Sequence, residues 1–307
     1  MKDASYQVSF EDLPKIQRSY SSRSLHIGYF GFGWCSNLEK SLVIKGPREI
    51  NLLECNVESP YVLMDENNLL RTRTFENPIT KERLIFRSGN YYLTLSNGEI
   101  RTFNKRGQNI EVRFSSGLRY EFEYRGDRLN KIKSNNGLTL LILMNDSGQI
   151  FRMGGPSNQE IIYLYEKSNL VQAVSLDRES HLFEYDRFNN LINLTYPDKS
   201  QENVVYNNEQ DRVLKVELPS TCIEYYDFYT ANKDPLHQVS TLTRKCANIP
   251  TEQFTYEFWY KTRDDGKKYL ERYKINQPKQ TLDITYHPFD GSPVKVIKNG
   301  KNLISKI

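Results

Sequence analysis

Apolar and polar residues alternate along most of this chain in short stretches that are separated by turn residues. Residues 120–124 read Tyr-Glu-Phe-Glu-Tyr, which is the period-two pattern of a half-buried strand. Residues 125–128 supply a turn, and an apolar stretch restarts at Leu129. The pattern predicts a β-hairpin.

The same hairpin pattern recurs at a nearly constant spacing. The residues that end its successive first strands are Tyr124, Met144, Tyr165, Tyr185 and Tyr206, so the steps are 20, 21, 20 and 21 residues. We predict an all-β fold of antiparallel hairpin repeats, with these five residues as repeat anchors that build the wall. Helical periodicity is missing from every window of useful length, so no helix is predicted.

The N-terminal stretch differs from the repeats. Residues 28–34 thread three glycines through four aromatic residues, and glycine permits close backbone approach. We predict that residues 1–45 form a plug that packs its rings against the first strands. Residues 46–307 are predicted to form the repeat array as one continuous sheet, although the 20-residue step is not regular over residues 38–118.

Composition fits a sheet with one aromatic and one polar face. Aromatic residues make up 12% of the 307 residues, while hydrophobic residues make up only 38% and the mean hydropathy is −0.67. The net charge of +4 comes from 42 basic and 38 acidic residues mixed along the chain, which argues against a nucleic-acid partner. No apolar run is long enough to span a membrane, and no secretory signal is visible at residue 1.

The four cysteines are Cys35, Cys55, Cys222 and Cys246, which allow three disulfide pairings. Cys222 and Cys246 lie about one repeat step apart, so they are a candidate disulfide between neighbouring strands. Burial as free thiols is the alternative. Because there is no Cys-x-x-Cys spacing, we predict no zinc site.

Catalytic chemistry has little support in the sequence. The four histidines have no metal-ligand spacing, and there is no Gly-x-Ser-x-Gly motif. We predict no catalytic residue, no metal site and no cofactor.

One candidate binding site consists of aromatic residues. Rings with polar rims are suited to stacking on sugars, or they line the inner side of the sheet instead. The residues of this candidate glycan platform are Tyr225, Tyr226, Tyr229, Trp259 and Tyr260.

The repeat and the N-terminal stretch together resemble the RHS, or YD-repeat, family, which includes the teneurins and the C components of bacterial Tc toxin complexes. Residues 120–129 are close to the family's Tyr-Asp-x-x-Gly-Arg-Leu pattern, and Tyr185-Asp186 keeps the YD pair. The N-terminal motif is similar to the Arg-x-Tyr-x-Ser-Arg…Gly-x-Gly-Trp segment of bacterial RHS cores. The residues that carry this motif are Arg18, Tyr20, Arg23, Gly31, Gly33 and Trp34.

The resemblance implies a β-sheet coiled into a hollow shell, which in bacteria often encloses a toxin. Residues 234–236 read Asp-Pro-Leu, as in the family's aspartyl autoprotease motif, but His237 replaces the following glycine. Autoproteolysis is therefore not expected. We predict a non-catalytic shell component that acts in effector encapsulation or export.

A sheet this short keeps open edges, and an open edge pairs readily with another strand. We therefore expect self-association or a partner subunit that completes the shell, with an enclosed polypeptide or a surface glycan as a further partner. The expected location is secreted or on a bacterial cell surface; the alternative is cytoplasmic before specialised export. A carbohydrate-binding adhesion module is the alternative function, and a hydrolase with an unrecognised site is the weakest.

Overall fold

The chain runs back and forth as short strands in a computed structural model, which describes residues 4–8, 13–78, 80–95, 97–207, 209, 212–288 and 291–305. Internal contacts divide it into two units, Met1–Asp198 and Lys199–Ile307. The predicted all-β antiparallel fold is confirmed. Within the described ranges the helical elements are two 3-10 turns, Pro156–Asn158 and Ala231–Lys233, and neither could cross a bilayer.

The described residues of the first unit form 21 strands. They are β1 (Ala4–Val8), β2 (Ile16–Tyr20), β3 (Ile27–Gly28), β4 (Gly31–Phe32), β5 (Trp34–Ser36), β6 (Lys40–Gly46), β7 (Glu49–Glu54), β8 (Val57–Asn67), β9 (Thr72–Glu76), β10 (Arg83–Arg87), β11 (Asn90–Thr94), β12 (Ile100–Asn104), β13 (Asn109–Arg113), β14 (Arg119–Arg125), β15 (Arg128–Ser134), β16 (Thr139–Met144), β17 (Ile150–Gly154), β18 (Glu160–Glu166), β19 (Asn169–Val174), β20 (Ser180–Tyr185) and β21 (Leu191–Thr195).

The second unit contains longer strands in the same hairpin order. They are β22 (Gln201–Asn207), β23 (Arg212–Glu217), β24 (Ile223–Thr230), β25 (His237–Cys246), β26 (Ile249–Thr262), β27 (Lys268–Gln277), β28 (Gln280–Tyr286), β29 (Pro293–Lys298) and β30 (Lys301–Ser305).

Within each unit, consecutive strands are hydrogen-bonded neighbours. This holds from β6 to β21 in the first unit and from β22 to β30 in the second. The N-terminal stretch forms two small sheets of its own, with order β1-β2-β5 and β3-β4. Sequence neighbours pair because each tight turn leaves the next strand only one place to hydrogen-bond.

Each repeat anchor lies at a β-bulge. The sheet register shifts immediately before Tyr124, Met144, Tyr165, Tyr185 and Tyr206. A bulge bends its strand and increases the local twist. The 20-residue spacing in the sequence therefore marks a bend that recurs once in every hairpin.

Turn length explains why the step alternates between 20 and 21 residues. Tyr124 and Tyr165 pair with the residue five positions later, whereas Met144 and Tyr185 pair with the residue six positions later. The longer turn adds one residue to the step that follows it. Phe103 shows the same bulge and the six-position pairing. The regular array therefore begins one repeat earlier than the sequence indicated.

The inward side chains of the first unit form two cores. One core contains Leu42, Ile50, Tyr61, Leu84 and Phe103, together with their neighbours on β6–β12. The other joins the N-terminal stretch to strands β13–β21, so its rings pack against these later strands and not, as predicted, against the first strands of the array. Both follow from the period-two pattern, which places every second side chain of a strand on the same face.

The sheet from β6 to β13 curls through about one full turn. The Leu42 amide donates to the carbonyl of Gly107, in the turn between β12 and β13, at 2.8 Å. A Cβ atom on Gly107 would lie 2.0 Å from the Leu42 oxygen, so only glycine fits there. Eight strands enclose a space that side chains alone can fill, which matches the first of the two cores.

Candidate functional site

The hydroxyl groups of three anchor tyrosines connect successive hairpins. Tyr124 donates to the carbonyl of Asn109 at 2.9 Å, Tyr165 to that of Ile150 at 2.6 Å, and Tyr185 to that of Leu170 at 2.9 Å. Each acceptor lies opposite the preceding anchor in the sheet. The tyrosines therefore hold each bulge to the hairpin before it, and Met144 lacks a hydroxyl to do so.

Burial raises the pKa of these three hydroxyls. Desolvation is the main cause that raises the pKa of Tyr124, Tyr165 and Tyr185 well above the usual value of 10.0. A phenol with the usual pKa is already protonated at physiological pH, and the raised pKa keeps these three able to donate at alkaline pH as well.

The hairpin turns on one side of the first unit form a second hydrogen-bonded series, which we call the turn row: residues 104–108, 125–128, 145–149, 166–169 and 186–190. A side chain at the end of each turn donates to the next turn along the row. The donors and acceptors are Gln108 Nε2 to Gly126 O (2.8 Å), Arg128 Nη2 to Asp146 O (2.7 Å), Gln149 Nε2 to Ser168 O (3.3 Å) and Asn169 Nδ2 to Asn189 Oδ1 (2.9 Å).

The N-terminal segment, residues 13–38, lies against this row through main-chain hydrogen bonds. The Phe32 amide donates to Ser168 O at 2.8 Å, and the Ile150 amide donates to Tyr29 O at 2.8 Å. Main-chain bonds of this kind fix the position of a segment as firmly as sheet pairing does. The segment is thus bound to the ends of the hairpins themselves.

Two predicted plug residues, Tyr20 and Trp34, reach the anchors. The Tyr20 hydroxyl donates to Asn189 O at 2.7 Å and accepts from the Leu191 amide at 3.2 Å. Trp34 Nε1 donates to the Tyr185 hydroxyl at 2.9 Å. Both rings are fully buried. Tyr20 and Trp34 of the segment therefore extend the series of tyrosine hydrogen bonds beyond Tyr185.

Gly31 and Gly33 permit the close approach. Both have positive φ, at +95° and +76°, and a Cβ atom on Gly31 would lie 2.3 Å from Ser168 O. A Cβ atom on Gly33 would lie 2.5 Å from the Tyr20 ring. A side chain at position 31 would push the segment away from the turn row, and one at position 33 would displace the Tyr20 ring.

Arg18 is buried among aromatic rings. Its guanidinium carbon lies 4.9 to 5.9 Å from the ring centroids of Phe30, Trp34, Tyr163 and Phe183. A desolvated cation over ring faces is stabilised by about 2 kcal/mol. Arg18 thereby joins rings of the segment to rings of β18 and β20. Arg23, by contrast, is exposed and lies outside this packed junction.

A buried carboxylate at the end of the segment escaped the sequence analysis. Glu39 is 2.6 Å from His26 Nε2 and accepts from Ser36 Oγ at 2.7 Å. Burial, and then the charge of Glu39, raises the pKa of Tyr29 to about 12. Ser36 donates to the carboxylate and not to the histidine, so this trio lacks the nucleophile-to-base hydrogen bond of a catalytic triad.

The structure contains two disulfides. Cys222 and Cys246 are bonded between the ends of β24 and β25, with their Cα atoms 4.1 Å apart. Cys35 on β5 is bonded to Cys55, in the turn after β7, with Cα atoms 5.4 Å apart. The free-thiol alternative is wrong for all four. Cys35–Cys55 escaped prediction because nothing in the sequence places the plug beside that turn.

The predicted glycan platform is divided between the two faces of the sheet. Register and alternation place Tyr225, Tyr229 and Trp259 on one face, and Tyr226 and Tyr260 on the other. Tyr225 and Tyr229 are exposed, whereas Tyr226 donates to the buried Glu224 at 2.5 Å. The five rings therefore do not form one surface.

Neighbouring strands cover Trp259. His237 on β25 stacks on the indole at 4.4 Å, and Arg272 on β27 lies over it at 4.8 Å. Arg272 also makes a forked pair with Asp283, at 2.8 and 2.5 Å. Both flanking side chains occupy the ring surface that a sugar would need. Among the described residues, no three His, Cys, Asp or Glu side chains cluster in a way that could hold a metal ion.

Comparisons with known proteins find similarity among solved structures only. No family model matches the chain, and no curated protein matches it. A crystal structure of TcdB2-TccC3-TEV is similar at a TM-score of 0.28, with 10% identity over 97% of this chain. A TcdB2-TccC3 crystal structure gives 0.27 and 10% over 94%.

A Photorhabdus luminescens Tc holotoxin pore with a mutated TccC3 gives a TM-score of 0.28 and 9% identity over 96% of this chain. This chain spans 23% of each of these solved chains. Likenesses of this size do not assign a family or a function.

Proposed function

We propose that this protein is a non-catalytic wall segment of an RHS, or YD-repeat, shell that takes part in enclosing or exporting a polypeptide effector. The observation that carries the proposal is the junction of the N-terminal segment with the turn row. The RHS-like residues Arg18, Tyr20, Gly31 and Trp34 contact the hairpins there, and Gly33 leaves room for the Tyr20 ring within the segment.

The second unit has a surface suited to a polypeptide partner. Its strands carry an apolar face that is only partly buried, and we call this the cargo face. Its members, which the register places on one side of β26–β28, are Phe254, Tyr256, Phe258, Tyr273, Ile275, Leu282 and Ile284. A contiguous, partly exposed apolar face is typical of an interaction site.

The two disulfides support a location outside the cytoplasm. Disulfides persist in oxidising compartments and are rare in the cytosol of mesophiles. The bridges Cys35–Cys55 and Cys222–Cys246 join cysteines that are 20 and 24 residues apart. The proposed location is therefore secreted or on the cell surface.

Protease protection tests the proposed function. A candidate effector encoded beside this chain's gene is co-expressed with it, and the mixture is treated with protease. We expect the effector to stay intact with the native chain. Phe258→Ser on the cargo face should expose it, while Lys261→Ser on the same strand, which is exposed, should not. Equal digestion with and without the native chain would contradict the proposal.

Glycan binding is the second candidate, favoured by the exposed rings of Tyr225 and Tyr229 on one face of β24. Its test is a glycan array with the native protein and the Tyr229→Ala variant. Retention of the native protein and loss with the variant would support an adhesion role. The covered faces of Trp259 argue for the shell role instead.

A further inference from the structure

Two lysines, Lys298 and Lys301, close the β29–β30 hairpin directly opposite each other. The turn between them is Asn299-Gly300, and both residues have positive φ, as an Asn-Gly hairpin turn requires. Both lysines are exposed, and neither forms an ion pair with a described residue. Like charges directly opposite each other in a sheet are destabilising. The hairpin therefore holds two cations side by side at a cost in stability.

A third exposed lysine, Lys279, lies in the neighbouring turn between β27 and β28. Two hydrogen bonds join the start of β28 to the lysine hairpin. The Thr281 amide donates to Asn299 Oδ1 at 2.8 Å, and the Asn299 amide donates to Thr281 O at 2.9 Å. Because the two turns are fixed to each other, the three cations stay together. We call Lys279, Lys298 and Lys301 the lysine edge.

The carboxylates on the surrounding strands have other partners. Segments 276–282 and 296–304 contain no Asp or Glu. Asp283 lies on the opposite face of the sheet, in its forked pair with Arg272. On the cargo-face side, Glu224 and Glu252 both pair with Arg244. The lysine edge therefore carries a net positive charge that these carboxylates do not neutralise.

The lysine edge continues a row of the cargo face. Read across strands β26 to β30, the directly opposite residues of this row are Tyr256, Ile275, Leu282, Lys298 and Lys301. The next row on the same face is apolar throughout: Phe258, Tyr273, Ile284, Val296 and Ile304. An apolar surface thus ends in a positive edge.

We propose that the cargo face takes an extended segment of the polypeptide effector in which apolar residues are followed by Asp or Glu, with the carboxylates on the lysine edge. The inference rests on the proposed function, because it names the chemistry of the effector segment. Neighbouring strands lie about 4.8 Å apart, so three strand steps separate Lys298 from Tyr256 by about 14 Å. An extended chain advances about 3.3 Å per residue, so the carboxylate should follow the residue on Tyr256 by about four positions.

A polypeptide segment suits this surface better than a membrane or a phosphate does. The residues of the cargo face are half-buried and do not project, whereas a surface that enters a bilayer interface sinks its apolar side chains into it. Clamping of a phosphate favours the forked guanidinium of arginine, whereas a lysine ammonium is a point charge on a flexible stem. An extended peptide supplies apolar contacts and carboxylates in one stretch.

Fluorescence polarisation of the full chain with labelled probe peptides tests the proposal. The probes, about ten residues long, share an alternating leucine–serine stretch and end in two glutamates, two glutamines or two lysines. We expect the glutamate probe to bind about tenfold more tightly than the glutamine probe, since two exposed lysine–carboxylate pairs together supply about that factor. The lysine probe should bind most weakly, and added salt should reduce these differences.

Charge reversal provides the variant and its matched control. Lys298→Glu/Lys301→Glu should reverse the order of the glutamate and lysine probes. Lys267→Glu/Lys268→Glu makes the same charge change at exposed residues at the other end of β27, and should keep the native order. Equal binding of the three probes by the native chain, or no binding below about 100 µM, would overturn the proposal. Flotation of the native chain with phosphatidylglycerol vesicles that Lys298→Glu/Lys301→Glu abolishes would overturn it too, because the lysine edge would then serve a membrane.

Stability separates a binding role of the lysine edge from a structural one. Lys301→Gln removes the like-charge repulsion, so its midpoint of urea unfolding should be at or above the native value. Its preference for the glutamate probe should fall about threefold, since one of the two pairs is lost. A lower midpoint with an unchanged preference would overturn the proposal.

Protease protection of the effector reports the wall function separately. Equal protection by the native chain and by Lys298→Glu/Lys301→Glu, together with equal binding of the three probes, would overturn this inference and leave the proposed function standing. An effector that is digested beside a native chain that still prefers the glutamate probe would contradict the proposed function and support the peptide preference.

Discussion

Removal of one anchor hydroxyl should destabilise the first unit strongly. In Tyr185→Phe the Leu170 carbonyl loses its donor, and the Trp34 indole N–H loses its acceptor. Leu170 and Trp34 are both fully buried, so water cannot replace the lost hydroxyl. A buried polar group left unpaired costs about 1–3 kcal/mol, so the two together should lower the free energy of unfolding by about 2–6 kcal/mol.

Two further Tyr→Phe variants give reference values for the loss of stability in Tyr185→Phe. Tyr124→Phe removes one hydrogen bond, to Asn109, and should cost about 1–3 kcal/mol. The hydroxyl of the half-buried Tyr92 makes no hydrogen bond within the described ranges, so Tyr92→Phe should stay within about 0.5 kcal/mol of the native value.

Urea unfolding followed by tryptophan fluorescence measures these changes. The chain has two tryptophans, and Trp259→Phe leaves Trp34 as the only reporter, so the signal follows the first unit. The expected order of destabilisation is Tyr185→Phe, then Tyr124→Phe, then Tyr92→Phe. A Tyr185→Phe variant as stable as Tyr92→Phe would refute the assignment of the anchors as hydrogen-bond donors between hairpins.

Three other changes probe the same structure. Gly31→Ala should cost about 2–5 kcal/mol, because its Cβ would meet Ser168 O at a strained positive φ, whereas Gly117→Ala has open space and should cost only about 1–2 kcal/mol in urea unfolding. Tyr124, Tyr165 and Tyr185 have pKa values raised above 10.0 in the folded state, so their contribution to stability is complete below pH 10 and is lost as the pH rises further. Urea titrations at pH 9, 10 and 11 should show the free energy of unfolding falling by up to about 1.4 kcal/mol per pH unit for each tyrosine. A flat profile would contradict this. Replacing Cys222 and Cys246 by Ala should lower the free energy of unfolding of the second unit by about 3 kcal/mol, measured by Trp259 fluorescence, since the bridge closes a loop of 24 residues; an unchanged midpoint would show that the bridge is not formed.

The hairpin array could be predicted from sequence because its signals are local. Alternation fixes which side chains share a face, and a tyrosine at the end of a strand marks the bulge in four of the five predicted repeats. The repeat anchored at Phe103 was not predicted, because a phenylalanine occupies the anchor position there. The turn that follows it has the same length as the turn after Met144, but turn length becomes visible only once the register is known.

The sequence predicted that the N-terminal segment packs closely, but it did not identify the residues that the segment contacts. Glycines among aromatics indicated close packing, and the structure shows Gly31 against Ser168 O. The partners lie more than 130 residues away, as in the Tyr165–Tyr29 contact, and no local pattern encodes such a distance. The glycan platform was grouped by sequence proximity, although alternation separates Tyr225 from Tyr226. Period-two geometry was sufficient to foresee that division.

Hydrogen exchange at two amides tests most directly whether the N-terminal segment is built into the hairpin wall. The amides of Phe32 and Ile150 join the segment to the turn row in both directions. Deuterium exchange, resolved to single residues by mass spectrometry with fragmentation, should find both protected as strongly as the amides of the buried strand residues around Leu140. Exchange of Phe32 and Ile150 at the rate of unprotected amides, with β16 still protected, would show that the segment does not close the wall.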